Sequence, residues 1–229
     1  MRFAFDPIPT PSLAIQGSDL RYPVRRIFCV GRNYADHALE MGGDPNREPP
    51  FFFTKPADAI LESGSEMTYP KLTEQLHHEL ELVIAIGKGG DNISKDKARE
   101  HIFGYAIGID MTRRDLQDEA KQTRRPWDSG KAFDQSAPCG PITPADQLAH
   151  PDDLQISLTV NGDVRQSSST NRLIWTIDEI IEHLSHYFTL APGDLIYSGT
   201  PAGVGPLVPG DHVVATADGL EPLEITITK

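Results

Sequence analysis

Tight-turn signals between short apolar runs are the feature that most limits the folds open to this chain. Asn161-Gly162-Asp163 separates two alternating segments, which is the pattern of an antiparallel hairpin. Pro-Gly-Asp occurs at 192–194 and again at 209–211, each time just before a short apolar run. The chain holds 19 glycines and 19 prolines, and they are dispersed rather than clustered. They therefore indicate many turns, not a low-complexity segment.

Apolar runs of strand length predominate along the chain. We expect strands at 26–30, 51–54, 77–86, 104–109, 154–160, 164–168, 195–198, 212–216 and 223–228. Short helices are predicted at 34–41 and 94–101, and a longer one follows the capping-box sequence Thr176-Ile177-Asp178-Glu179. The helices do not alternate regularly with the strands. The pattern therefore predicts an α+β fold, a mixed β-roll or β-sandwich with few short helices, and not a doubly wound sheet.

Length and charge narrow the class of protein. The 229 residues fit one domain with a sizeable core. Lys and Arg number 21 against 33 Asp and Glu, a formal net charge of −12 that disfavours nucleic acid and anionic membranes as partners. No apolar run approaches the roughly 20 residues of a membrane helix, and the first residues lack a signal-peptide pattern. With only two cysteines, we expect a cytoplasmic protein without disulfides.

Three carboxylates stand in or beside apolar strands. Glu79 and Glu81 are two residues apart on a predicted strand, so both face the same way, and Asp110 directly follows the next apolar strand. Such crowding is costly unless a cation neutralises it, and an all-oxygen set favours Mg²⁺ or Mn²⁺. A solvated strand end is an equally good interpretation of the pair alone. Because His77 lies on the same face, a zinc site also stays open.

A His–Glu pair lies on the first predicted helix. His37 and Glu40 are three residues apart, so they share a helical face, and the carboxylate could fix the imidazole as a base that activates water. On spacing alone, an incidental pair on a solvated helix is favoured. The glycines and prolines between 42 and 50 would let this helix act as a lid.

Cationic residues are concentrated between 113 and 131 in an otherwise acidic chain. Most are expected on an exposed, ion-paired helix. Lys131 is different, because it lies between Trp127 and Phe133 in a predicted loop, where an ammonium could hold an oxyanion. The glycine-rich segment 198–206 lacks the Lys-Ser/Thr ending of a phosphate-binding loop, and no G-x-S-x-G motif occurs. Neither a nucleotide site nor a serine hydrolase is supported.

Six segments together carry a resemblance to a known family. They are Val30-Gly31-Arg32-Asn33-Tyr34-Ala35-Asp36-His37, Pro50-Phe51-Phe52-Phe53-Thr54-Lys55-Pro56, His78-Glu79-Leu80-Glu81-Leu82, Gly108-Ile109-Asp110-Met111-Thr112-Arg113-Arg114-Asp115, Gly130-Lys131-Ala132-Phe133-Asp134 and Ser198-Gly199-Thr200-Pro201-Ala202-Gly203-Val204-Gly205. In this order and spacing they resemble the fumarylacetoacetate hydrolase superfamily, in its short acylpyruvase and fumarylpyruvate hydrolase-like branch. The resemblance covers roughly residues 25–227 and implies the C-terminal β-roll of that family. Residues 1–24 are then an N-terminal arm, and 25–229 form the catalytic domain.

The resemblance also implies roles for individual residues. Metal ligation of Mg²⁺ or Mn²⁺ falls to Glu79, Glu81 and Asp110. Catalysis falls to His37, Glu40 and Lys131, and contact with the oxo-acid substrate to Arg32, Arg114, Gln117 and Thr200. The implied reaction is hydrolysis of a carbon–carbon bond in a 2,4-dioxo acid, most readily fumarylpyruvate to fumarate and pyruvate. A homodimer is implied as well.

Two other functions stay open at this level. The same site could decarboxylate or tautomerise oxaloacetate. A member of another class, a non-catalytic β-roll binding module stabilised by its metal, would need no base, which the His37–Glu40 pair argues against.

Overall fold

Strands predominate in the computed structural model of the protein, which describes residues 2–36 and 48–229. The strands are β1 (Ser12–Ile15), β2 (Ser18–Pro23), β3 (Arg26–Gly31), β4 (Phe51–Lys55), β5 (Ile60–Glu62), β6 (Ser65–Thr68), β7 (Leu76–His78), β8 (Leu80–Ile86), β9 (Ile102–Ile109), β10 (Thr112–Arg113), β11 (Ala137–Cys139), β12 (Thr143–Pro144), β13 (Gln155–Val160), β14 (Asp163–Ser169), β15 (Asp194–Tyr197), β16 (Gly205–Leu207), β17 (His212–Ala217) and β18 (Leu223–Thr228). The α-helices within the described ranges are α1 (Arg114–Thr123), α2 (Asp128–Lys131) and α3 (Ile177–Tyr187).

The largest sheet is mixed. Its order is β4-β3-β15-β8-β9-β11-β5, and β12 also pairs with β9. β15 runs parallel to β3, and β11 runs parallel to β5, whereas β8 lies antiparallel between β15 and β9. This arrangement puts the beginning of β8 beside the end of β9.

A second sheet of five strands has the order β14-β13-β17-β18-β6. Its β13–β14 hairpin turns at Asn161 and Gly162, whose φ values are 55° and 87°. Positive φ at both positions is the geometry that an Asn-Gly turn adopts most readily, so the predicted hairpin is confirmed. A short third sheet joins β10, β7 and β16.

The core lies on both faces of β8, because all seven of its residues are buried. Leu82 and Ile84 belong to the cluster shared with Leu158 of the second sheet, whereas Val83 and Ala85 pack in a separate cluster on the opposite face. Helix α3 contributes to the first cluster and begins with the predicted capping box. The α+β fold with a mixed, rolled sheet and few short helices is thus confirmed.

Three local predictions need correction. The predicted strand 77–86 is two strands, β7 and β8, which end and begin around Glu79 and join different sheets. β4 is an edge strand with partly exposed residues rather than a buried strand. The helix predicted at 94–101 is a 3₁₀-helix, Lys95–His101.

The structure describes only part of the predicted first helix, and it shows a hairpin within the predicted N-terminal arm. Most of the helix predicted at 34–41 lies outside the described residues. Within the predicted arm, β1 and β2 form a hairpin whose Leu13 and Tyr22 are buried, and the boundary at residue 24 stays a prediction. No helix in the described ranges has the length and apolar character needed to cross a bilayer.

Candidate metal centre

The three predicted ligand residues meet at the junction of two sheets. Glu79 lies in the break between β7 and β8, Glu81 follows on β8, and Asp110 comes directly after β9. Antiparallel pairing sets Glu81 opposite Gly108, and the Asp110 N–H donates to the Glu79 carbonyl at 2.8 Å. As a result, carboxylate oxygens of all three side chains lie within 4.8 Å of one another. Antiparallel pairing of β8 with β9 thus places Asp110 beside the two glutamates.

This carboxylate cluster is buried. Glu79, Glu81 and Asp110 are 5%, 2% and 0% exposed. Burial raises the pKa of Glu81 well above its usual range, and the negative charges of Asp110 and Glu79 raise it further. A hydrogen bond from the Gly199 N–H, at 2.7 Å to Oε2, partly opposes that rise. A protonated Glu81 and a bound cation are the two physical ways to relieve this repulsion.

Three cations surround the cluster. Lys131 Nζ donates to Glu79 Oε2 at 2.8 Å and to Asp110 Oδ2 at 2.7 Å. Lys55 Nζ lies 2.8 Å from Asp110 Oδ1, and Arg114 Nη2 donates to Glu79 Oε1. No lysine or arginine of the described residues is within ion-pair distance of Glu81. On the side of Glu81, the cluster therefore has no protein cation in direct contact within the described residues.

The donor set fits a divalent cation of the hard class. The one group in the described ranges that could hold an ion consists of three carboxylates, with no imidazole or thiolate. His77, considered at first as a zinc ligand, is not part of it. Oxygen-only sets of this kind suit Mg²⁺ or Mn²⁺, which keep part of their water shell. We conclude that the residues present fit such an ion.

A cleft opens beside the carboxylates. The predicted substrate contacts Arg32, Arg114, Gln117 and Thr200 all line it. Its aromatic wall is Phe51, Phe53 and Trp127, whose rings pack at centroid distances of 5.4 and 5.8 Å. The cleft thus combines a charged floor with an apolar side.

The predicted contact residues differ in how they are held. Arg114 Nη1 donates to Gln117 Oε1 at 2.5 Å, so these two buried side chains form a unit on the first two turns of α1. Thr200 is also buried, whereas Arg32 is exposed at the rim and has a positive φ of 55°. His37 and Glu40 lie outside the described residues.

Lys131 is positioned by a helix and not by a loop, contrary to the sequence-based expectation. It is the last residue of the short helix α2, and its side chain is 3% exposed. Besides the two carboxylates, it donates to Thr112 Oγ1 at 2.6 Å. Its proposed contact with an oxyanion stays a prediction.

Sequence reasoning missed two buried polar residues of the site. Lys55 directly follows the predicted strand 51–54 and has no predicted role, yet its ammonium contacts Asp110 and donates to the Met111 carbonyl at 3.0 Å and to that of Lys131. Gln166 lies on β14, in a run of polar residues typical of an exposed strand, but it is 1% exposed. The only available signal for Lys55 was its place in one of the resembling segments.

Comparison with known proteins agrees with this geometry. The family model for the fumarylacetoacetate (FAA) hydrolase C-terminal domain matches residues 26–228. The chain therefore belongs to the fumarylacetoacetate hydrolase family, and within it to the fumarylpyruvate hydrolase-like branch.

Individual relatives narrow the comparison. A crystal structure of fumarylpyruvate hydrolase from Pseudomonas aeruginosa, in complex with Mn²⁺ and pyruvate, is 52% identical, with a TM-score of 0.97 and 99% of each chain covered. The fumarylpyruvate hydrolase of Ralstonia sp is 46% identical over 80% of this chain and 95% of its own. The mitochondrial oxaloacetate tautomerase of Homo sapiens is 40% identical over 90% of this chain and 92% of its own. The relatives therefore include two different activities.

Proposed function

We propose that the protein is a divalent-metal-dependent hydrolase that cleaves a carbon–carbon bond in a 2,4-dioxo acid, with fumarylpyruvate as the preferred substrate. The observation that carries the proposal is the buried set of three carboxylates beside a cleft lined by cations. It is supported by the likeness to a fumarylpyruvate hydrolase that was crystallised with Mn²⁺ and pyruvate.

The metal would be held by Glu79, Glu81 and Asp110 and would be Mg²⁺ or Mn²⁺. When bound, such an ion supplies Lewis-acid stabilisation of negative charge on the 2-oxo oxygen. Lys131 and Lys55 hold the Asp110 side chain in place, because each contacts one of its oxygens. The role of these two lysines is to keep the carboxylate cluster together against the repulsion among its members.

The cleft offers hydrogen-bond donors and positive charge to the carboxylates of the substrate. The Arg114–Gln117 unit and the rim residue Arg32 offer donors to a carboxylate, and the apolar wall of Phe51 and Trp127 suits a planar carbon chain. Fumarylpyruvate has two carboxylates separated by such a chain. This complementarity favours a dicarboxylate over a short monocarboxylate.

The hydrolytic step needs a base and a proton donor. His37, oriented by Glu40, would take a proton from water, and the resulting hydroxide adds to the distal carbonyl carbon. Lys131 would hold the oxyanion formed there by giving up one of its three present acceptors, Glu79, Asp110 or Thr112. The bond to the neighbouring methylene carbon then breaks, its electron pair stays on the pyruvate fragment, and a proton returns to that carbon. One water is consumed, and one carboxylic acid and one pyruvate result.

The test is turnover of a substrate panel with and without metal. Fumarylpyruvate, maleylpyruvate, acetylpyruvate, fumarylacetoacetate and oxaloacetate should be followed by loss of dioxo-acid absorbance and by pyruvate release. Cleavage of fumarylpyruvate that disappears in EDTA and returns with Mg²⁺ or Mn²⁺ is the expected result. Metal-independent cleavage, or none with any dioxo acid, would refute the proposal.

The assignment of the base has its own variant. His37→Ala should lose hydrolysis by ~10²-fold or more, because the base contributes about that factor, and keep its Mn²⁺ affinity. Glu40→Gln serves as the control that keeps the imidazole but removes its partner. Wild-type rates in His37→Ala would remove this residue from the base role.

A second candidate function is oxaloacetate tautomerisation or decarboxylation. It is favoured by the identity to oxaloacetate tautomerases, which is close to that shown to the Ralstonia enzyme. Tautomerisation moves only protons and needs no added water. Enol–keto conversion of oxaloacetate by both wild type and His37→Ala, without cleavage of any dioxo acid, would favour this candidate.

Homodimer formation is proposed as well, and light scattering of the purified protein tests it.

A further inference from the structure

Gln166 joins three parts of the site through one buried side chain. Its Oε1 accepts from the Leu80 N–H at 3.0 Å and faces His78 Nδ1 at 2.9 Å. Its Nε2 donates to Thr200 Oγ1 at 2.8 Å and to the Pro201 carbonyl at 2.9 Å. All of the hydrogen-bonding capacity of the amide is used within the protein.

The orientation of this amide is fixed by partners with a single possible role. The Leu80 N–H can only donate, so it must face the oxygen of Gln166, and the Pro201 carbonyl can only accept, so it must face the nitrogen. A flipped amide would place donor against donor and acceptor against acceptor. It follows that His78 Nδ1 carries a hydrogen and that Thr200 Oγ1 accepts one.

The consequence falls on the hydroxyl of Thr200. Because its oxygen already accepts from Gln166 Nε2, its own hydrogen cannot point back at that nitrogen and is left for another acceptor. Thr200 lines the cleft beside the carboxylate cluster. An anionic oxygen in the cleft is the acceptor that such a hydroxyl serves best.

The loop that carries Thr200 lies too close to its neighbours for other residues. Gly199 has φ +103°, and an added Cβ would lie 2.6 Å from Asn33 Cβ. Gly203 has φ +95°, and a Cβ there would lie 2.2 Å from the Arg165 carbonyl oxygen. The two glycines let residues 199–203 press onto β14, where Gln166 can reach them.

We propose that Gln166 is a positioning residue that makes Thr200 a hydrogen-bond donor to the carboxylate of the bound oxo acid. The inference deepens the proposed function, since it assigns how one end of that substrate is recognised. Gln166 itself touches no substrate and acts through Thr200.

A double-mutant cycle tests the coupling, read by calorimetric binding of pyruvate to the Mn²⁺-loaded protein. Thr200→Val should weaken pyruvate about tenfold, the size of one lost hydrogen bond to a charged group. Gln166→Glu has the same shape but accepts the Thr200 hydrogen, so it should cause a similar loss. The double variant should bind no more than ~3-fold more weakly than Thr200→Val alone, since both changes remove the same donor.

Controls separate positioning from general support of the fold. Thr200→Ser keeps the hydroxyl and should bind pyruvate within ~3-fold of wild type. Mn²⁺ affinity without pyruvate should stay within ~3-fold in Thr200→Val, and in turnover this variant should raise KM more than it lowers kcat. If Gln166→Glu fails to fold, Gln166→Met takes its place in the cycle, with the same requirement of non-additivity.

The outcomes are distinguishable from those of the proposed function. Multiplicative losses in the double variant would show that Gln166 acts independently of Thr200 and would overturn the inference, as would wild-type pyruvate affinity in Thr200→Val. Lack of dioxo-acid cleavage by wild type, together with the expected non-additive cycle, would refute the hydrolase proposal and leave the positioning role standing.

Discussion

Buried carboxylates lie at both ends of the largest sheet, but they differ in how many positively charged partners and backbone donors they have. Asp194, at the start of β15, has a fully buried side chain that accepts from Arg25, from Arg26 and from the Ala191 N–H. At the other end of the same sheet, three carboxylates share their space, and the Glu81 oxygens have a single backbone donor among the described partners.

The difference is between a carboxylate that is fully ion-paired within the fold and a carboxylate cluster that is not. Asp194 is surrounded by more positive charge than it carries, and its arginines remain partly in water at 48% and 31% exposure. In the carboxylate cluster, burial and then the negative charges of Asp110 and Glu79 raise the pKa of Glu81. A buried carboxylate that is fully paired with arginines stabilises the fold. A buried carboxylate that lacks such partners can instead bind a cation from solution.

The largest expected effect is loss of metal binding on changing Glu81. Glu81→Gln keeps the size of the side chain and its acceptor for the Gly199 N–H but removes one anionic ligand, so Mn²⁺ affinity should fall by at least ~10²-fold. Thermal stability of the metal-free protein should not fall, because the variant also removes a repelled charge. Calorimetric titration with Mn²⁺ and a melting curve in EDTA check both. Stoichiometric Mn²⁺ at wild-type affinity would refute the ligand assignment.

The matched change at the opposite end of the sheet should lower stability and leave metal affinity unchanged. Asp194→Asn leaves two arginines without their anion and should cost about 2–3 kcal/mol of stability, partly offset because those arginines reach water. For a domain of this length, that is a fall in Tm of roughly 5–10 °C. Mn²⁺ affinity should stay within ~3-fold. A loss of metal as large as that of Glu81→Gln would erase the distinction between the two ends.

The smallest effect is the pH dependence of stability in the metal-free protein. Because the pKa of Glu81 is higher in the folded state than in the unfolded chain, the folded state holds the extra proton between these two values. Glu81 therefore lowers stability as pH rises through that interval, by at most about 1.4 kcal/mol per pH unit. Urea unfolding in EDTA from pH 5 to 8 should show a shallower decline in Glu81→Gln than in wild type. Identical slopes would contradict the raised pKa.

Sequence alone predicted the parts of the fold that are set by near neighbours. The Asn161-Gly162 hairpin and the Thr176 capping box depend on residues within four positions, and both formed as predicted. The division of residues 77–86 at Glu79 was not foreseeable from periodicity. It depends on pairing of β7 with β10 and β16, which are remote in sequence.

The site shows the same limit. The carboxylate cluster could be predicted, because charges in apolar strands need a partner wherever the strands lie. Lys55 and Gln166 could not, since a polar residue at the end or on the face of a strand is ordinarily exposed. Their burial results from α2 and the 199–203 loop, which pack over them from distant parts of the chain.

The parallel pairing of β3 with β15 has a consequence for synthesis on the ribosome. The partner of Arg26, Asp194, is 168 residues further along the chain. β3 therefore cannot pair with β15 until most of the chain has left the ribosome. The acidic residues at 79, 81 and 110 leave the exit tunnel well before Gln166 and Gly199 do. The largest sheet therefore cannot be completed, and the Gly199 N–H cannot reach Glu81, until these later residues have been synthesised.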